Sequence, residues 1–216
     1  MTFAKPRQSN LLQMERGRLE AFSDGVMAVA ITLLALNLAV AGPGHGPLLQ
    51  QIGDHWPTFI AYLISFFTIG IIWVNHHALI GNVAIVDRTL LFLNLLLLLF
   101  VVLIPFATAT MAEYLTSNDQ DAHVAMALYG GVFEGMALSF GAIFAWSLQE
   151  GRSIRVLPRS APPAAWWGFS IGWLVYLVAI LIAFFSPPAA LAIIGLVAVY
   201  YIFERTPGPP KGPDPS

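Results

Sequence analysis

From residue 89 to 112 the chain reads TLLFLNLLLLLFVVLIPFATATMA, without one charged side chain. A helix needs about 20 mostly apolar residues to cross the hydrocarbon core of a bilayer. In that medium each backbone amide must be satisfied within the segment itself, so such a run folds as a helix. Five further stretches repeat the pattern, over 22–41, 57–75, 123–146, 164–185 and 189–203. The pattern predicts an all-α integral membrane protein with six transmembrane helices and very little soluble mass. Composition agrees, with only 10% charged residues against about 25% in soluble domains.

The basic residues test the count. Lys5, Arg7, Arg16 and Arg18 precede the first span, and Arg88 lies between the second and third. Arg152, Arg155 and Arg159 lie between the fourth and fifth, and Arg205 and Lys211 follow the sixth. With six spans, all ten fall on one side of the membrane. The opposite loops hold Asp54, Glu113, Asp119 and Asp121 and no Lys or Arg. Positive loops stay inside, so both termini are expected in the cytoplasm. The layout is then a cytoplasmic tail over 1–17, one six-helix domain over 18–204, and a tail over 205–216. The last tail is rich in Pro and Gly and is expected to be disordered.

Several classes fall away. There is no cysteine, hence no disulfide framework, thiolate metal site or cysteine nucleophile. A net charge of −2 argues against nucleic acid as a partner. No secretory signal peptide is apparent, because the first apolar run lacks a small-residue cleavage pattern followed by a mature domain.

The first span carries the most information. At 100° per residue, Phe22, Val26, Val29, Leu33, Leu36 and Val40 fall in one stripe, with Thr32 at its edge. Asp24 points away from it by roughly 140°. Gly25, Ala28, Ala30 and Ala35 occupy the other faces, and small residues permit close helix packing. The stripe by itself fits lipid, a protein core or a pore wall. As a pore wall, Val29, Leu33 and Leu36 would make dry constrictions that gate by dewetting, with Thr32 the hydroxyl beside them. No TVGYG filter loop occurs; the nearest fragment, Thr68-Ile69-Gly70, sits inside a span.

Charged and polar groups inside spans need partners. Asp24 begins the first span where the second ends in Trp73-Val74-Asn75-His76-His77, so it is expected as a buried partner of the histidines. Arg18 completes that network or anchors at headgroups, and Ser23 caps or bonds within it. His76 and His77 are adjacent and point about 100° apart, a poor spacing for metal compared with an i,i+4 pair. No metal or other cofactor is expected. Glu134, flanked by Gly130, Gly131 and Gly135, is either a structural hydrogen-bonding group or a proton relay. Asn37 and Asn94 are expected to bond between helices, Pro105 to kink the third span, and Trp56, Trp73, Trp146, Trp166 and Trp167 to anchor at the interfaces.

Arg18-x-x-x-Phe22-Ser23-Asp24 followed by GVMAVAITLLALNL closely resembles the first helix of the prokaryotic transmembrane protein 175 potassium channels. Trp73-x-x-His76-His77 resembles that family's WxxHH, and Asp87-Arg88 with LNLLLLLFVVLIPFATA over 93–109 resembles its third helix. The likeness covers roughly 16–112. It implies six spans with cytoplasmic termini in a bacterial cell membrane. It also implies a homotetramer with helix one around a central pore, a leak that passes potassium ions over sodium. The family's constrictions map onto Val29, Leu33 and Leu36, and its selectivity threonine onto Thr32. Valine at 29 is smaller than the isoleucine or leucine usual there, which implies a wider first constriction. Three other classes are rivals. A proton-coupled secondary transporter or a proton-permeable channel would exploit Glu134 and the histidines, but a transporter ought to show internal repeats or broken helices. A membrane-embedded enzyme would set His76, His77 and Asp24 around a metal.

Overall fold

The computed structural model describes residues 6–38, 40, 42–117, 120–154 and 163–203; side chains are described from residue 15 onward, apart from 163–171 and 203. Seven α-helices occur among them: α1 (Pro6–Leu34), α2 (Leu48–Asp54), α3 (Trp56–Gly81), α4 (Arg88–Tyr114), α5 (Gln120–Ser147), α6 (Pro163–Ala183) and α7 (Pro187–Phe203). No strand is formed among the described residues, only one isolated bridge between Val83 and Ser153. Four helices are long and apolar enough to cross a membrane: 15–37 of the first helical stretch, then α3, α4 and α5. Shorter apolar stretches follow at Gly172–Ala183 and Pro187–Ile202. The chain is an all-helical membrane protein. Arg155 and Arg159, Trp166 and Trp167, and the tail over 205–216 lie outside the residues or side chains described.

The first span departs from its expected limits. Its helix starts at Pro6 and ends at Leu34, and residues Ala35–Asn37 tighten into a 3-10 turn. Gly42, Gly44 and Gly46 then take positive φ of 88°, 95° and 97°, a region open to glycine at little steric cost. The Gln51 side chain ties this loop down. It accepts from the Gly42 amide at 2.9 Å and donates to the Gly42 and Gly46 carbonyls at 3.0 and 2.9 Å. That clamp is the reason a seven-residue helix, α2, can stand here.

α4 is the central strut. Its start is capped by Asp87, whose carboxylate accepts from the Leu90 amide at 2.8 Å, a contact worth about 1 kcal/mol. α4 packs along α5 and also meets α1 and α3; α5 continues to α6, α6 to α7, and α7 returns to α3. The glycines beside Glu134 explain the close fit. A Cβ on Gly130 would come within 2.8 Å of Ile180 on α6, and one on Gly135 would collide with the Phe100 ring of α4. Between α3, α4 and α5 a buried hydroxyl chain forms. Tyr129 donates to Ser65 at 2.9 Å, Ser65 to Thr108 at 2.8 Å, and Thr108 to the Ile104 carbonyl at 2.7 Å. The last bond uses the only Thr108 proton, which sets the direction of the others.

Candidate functional site: the two faces of the first helix

α1 presents two faces of opposite character. Leu19, Ser23, Met27, Ala30 and Leu34 are buried, Ser23 completely. Their spacing of four, four, three and four residues is the signature of one helical face packed on protein. The stripe picked out from the sequence lies open. Val29 is 57% exposed, Leu33 38% and Leu36 76%, and Phe22, Thr32 and Val40 are exposed with them. Only Val26 is half-buried. Thr32 donates to the Val29 carbonyl at 2.8 Å, so its proton is spent within the helix and its lone pairs are left for the open side. Leu36 sits in the 3-10 turn rather than in α-helix.

Behind the buried face, three helices meet in a directed chain of polar groups. His76 Nε2 on α3 lies 2.7 Å from Asn94 Oδ1 on α4. The Asn94 amide donates to Ser23 Oγ at 3.0 Å, and Ser23 donates to the Leu19 carbonyl at 2.9 Å. A carbonyl oxygen only accepts, so His76 carries its proton on Nε2 in this arrangement. Its Nδ1 is buried without a hydrogen-bond partner.

Asp24 does not enter this chain, contrary to the expectation of a buried carboxylate against the histidines. It is half-buried, and its Oδ1 accepts from Trp73 Nε1 at 2.8 Å. The reason is direction. Ser23 and Asp24 point about 100° apart on the helix, and the inward position takes the small neutral hydroxyl. An ionised carboxylate there would meet a much larger desolvation cost. Arg18, Phe22, Trp73 and His77 are exposed, with the Trp73 and His77 rings 6.5 Å apart. The two sequence motifs therefore split into an inner pair, Ser23 and His76 joined by Asn94, and an outer pair, Asp24 and Trp73. Among the described residues no group of three His, Asp or Glu side chains stands ready for a metal ion.

Glu134 stands apart on α5, half-buried, with Oε2 lacking a hydrogen-bond partner. Trp146 lies one residue before the end of α5, near the span end as expected. It is buried, with the Arg152 guanidinium 4.6 Å from its ring. Sequence reasoning passed over Arg16, which donates to the carbonyls of Gly81 at 3.1 Å and Val83 at 3.3 Å. Its only signal was a basic side chain two residues ahead of the motif.

Comparison with known proteins places these features. The family described as endosomal/lysosomal potassium channel TMEM175 matches residues 18–105. A potassium channel of Streptomyces collinus is 46% identical over 201 residues, spanning 91% of this chain and 96% of that one. A potassium channel of Chamaesiphon minutus is 36% identical over 88% of this chain and 94% of its own length. The crystal structure of a lysosomal potassium-selective channel TMEM175 homologue from Chamaesiphon minutus superposes with a TM-score of 0.76 at 35% identity. That superposition covers 88% of this chain and 97% of the other.

Proposed function

The chain belongs to the TMEM175 family, and from that membership we propose that it is a potassium channel whose conducting wall is the open face of α1. The observation that carries the reading is the exposure of Val29, Leu33 and Leu36 on a helix whose opposite face is fully packed. Four copies arranged about one axis would turn these side chains into three stacked apolar rings. A ring of branched side chains repels water when narrow and conducts when it widens, so these rings serve as the gate. Thr32, one position from Leu33, adds hydroxyl lone pairs at the same depth. Entering such a bottleneck strips water from the ion. Potassium holds its hydration shell less tightly than sodium, so the barrier favours potassium without a carbonyl cage.

The remaining architecture follows the same reading. α3 to α7 hold α1 in place, six helices cross the membrane, and the one-sided Lys and Arg put both termini in the cytoplasm. The domain over 18–204 is the channel, flanked by the tails over 1–17 and 205–216, in a bacterial cell membrane. The outer pair Asp24 and Trp73, with Arg18 and His77 beside it, steadies the cytoplasmic end of the wall. No residue is assigned a catalytic role.

The deciding experiment is purified full-length protein in liposomes with potassium and sodium gradients imposed in turn. Potassium is expected to run down its gradient faster than sodium and without a counter-ion. Leu33→Ser is expected to wet the rings and raise the flux. Unchanged flux in Leu33→Ser would remove α1 from the pore, and a strict dependence on a counter-ion gradient would favour an exchanger.

A further inference from the structure

α1 is longer than a membrane requires. Its 29 residues extend about 43 Å at 1.5 Å per residue, against a hydrocarbon core of about 30 Å. Arg16 lies in the surplus turns. Its guanidinium ties α1 to the end of α3, donating to the Gly81 and Val83 carbonyls at 3.1 and 3.3 Å. The last carbonyls of a helix lack intrahelical donors and carry partial negative charge, so a cation fits there. The Gly81 carbonyl ends α3, and the Val83 carbonyl belongs to a strap that is itself held. Ala84 donates to the Arg152 carbonyl at 2.8 Å, and Ile154 donates to the Asn82 carbonyl at 2.8 Å. Ser153 donates to the Ser147 carbonyl at 2.6 Å. The Arg152 side chain lies over Trp146 at the end of α5 and reaches Asp87, the α4 cap, at 3.8 Å.

We infer that Arg16 is a positioning residue for the pore wall, fixing the tilt of α1 against a strap built from residues 82–87 and 148–154. This rests on the reading of α1 as the wall. Arg16 lies 13 residues before Val29, about 20 Å along the axis. A tilt of about 5° therefore moves one relative to the other by about 1.7 Å, comparable to the change that opens or closes an apolar ring. Releasing the anchor broadens the range of tilts. Wetting rises steeply with radius, so wide excursions gain more conduction than narrow ones lose.

The test is Arg16→Gln and Arg16→Lys in the full-length channel, with liposome potassium flux, the potassium-to-sodium ratio and amide exchange read together. Arg16→Gln is expected to raise potassium flux at least threefold at an unchanged ion ratio, and to speed exchange at Ala84 and Ile154. Arg16→Lys, which keeps the charge but not the fork of donors, falls between it and wild type. Faster exchange with wild-type flux would make Arg16 a structural tie only and overturn the inference. An altered ion ratio would also overturn it, by placing Arg16 in the conduction path. Should Arg16→Gln fail to fold, Arg152→Gln loosens the strap from its other side and must raise flux too; wild-type flux there refutes the proposal. Leu33→Ser measured in parallel separates the two readings. If Leu33→Ser raises flux and the Arg16 variants do not, this inference fails alone; if Leu33→Ser is also silent, the pore assignment fails.

Discussion

Leu33 and Leu34 are neighbours of the same type on the same helix, yet one is 38% exposed and the other 1%. In a soluble protein an exposed leucine gives up part of the free energy that its burial would contribute. In a bilayer it carries no such penalty, because lipid tails are as apolar as leucine and burial alone drives no association. What distinguishes the faces is instead packing and polarity. The inner face of α1 carries Met27, Ala30 and Leu34 against protein and ends in the Ser23–Asn94–His76 chain. The outer face carries the branched side chains Val29, Leu33 and Leu36, which the rest of the chain leaves exposed. A helix locked on one side and open on the other is suited to forming a wall shared with other copies.

Substitutions at the two leucines are the strongest attempt to break that contrast. Leu34→Ala removes packing atoms from a closed interface and is expected to cost about 2 kcal/mol. That is the low end for leucine, since the transfer contribution is small in lipid. Detergent thermal melting checks it. Leu33→Ala should leave the melting temperature alone while raising potassium flux. If both variants melt early, Leu33 is packed in the working assembly and the faces are not different in kind.

The polar chain comes next in size. Asn94→Ala strands the buried His76 while Ser23 keeps its bond to the Leu19 carbonyl, and an unsatisfied buried group costs about 1–3 kcal/mol. Asp24→Asn keeps an oxygen acceptor for Trp73 and is expected to be nearly silent in stability. Asp24→Ala loses only one exposed hydrogen bond, about 0.5–1.5 kcal/mol. Melting curves of the three variants rank the inner pair above the outer pair. The reverse order would make the carboxylate the keystone after all.

These contrasts bear on what the residues disclosed in advance. Hydropathy and the one-sided Lys and Arg carry helix-level information because bilayer thickness and backbone satisfaction leave few alternatives. α3, α4 and α5 accordingly run close to the expected limits, each somewhat longer. Periodicity also separated the two faces of α1, but it could not say which of Ser23 and Asp24 turns inward. That depends on Asn94, contributed by a helix 71 residues away. The end of α1 differs from the expected limit for a related reason. The glycines of 42–46 announce a turn, whereas the helix stops at Leu34 and tightens before it. α2 depends on Gln51 folding back on that loop, and Trp146 is covered by an arginine beyond its own helix. Both are tertiary contacts with no local signature.

Val29 supplies the finest test of the open face. Its side chain is one methylene smaller than isoleucine, and it is 57% exposed, which leaves room for the extra carbon. Val29→Ile should therefore leave melting unchanged while narrowing the first ring and lowering potassium flux by a few-fold. The same substitution at a packed position would strain its surroundings, with costs of about 1–3 kcal/mol for overpacking. A flux change without a stability change is the combination that only a wall facing open space can produce. A stability loss without a flux change would mean that Val29 is covered in the assembled protein, and the ring it was assigned to would have to be built from some other helix.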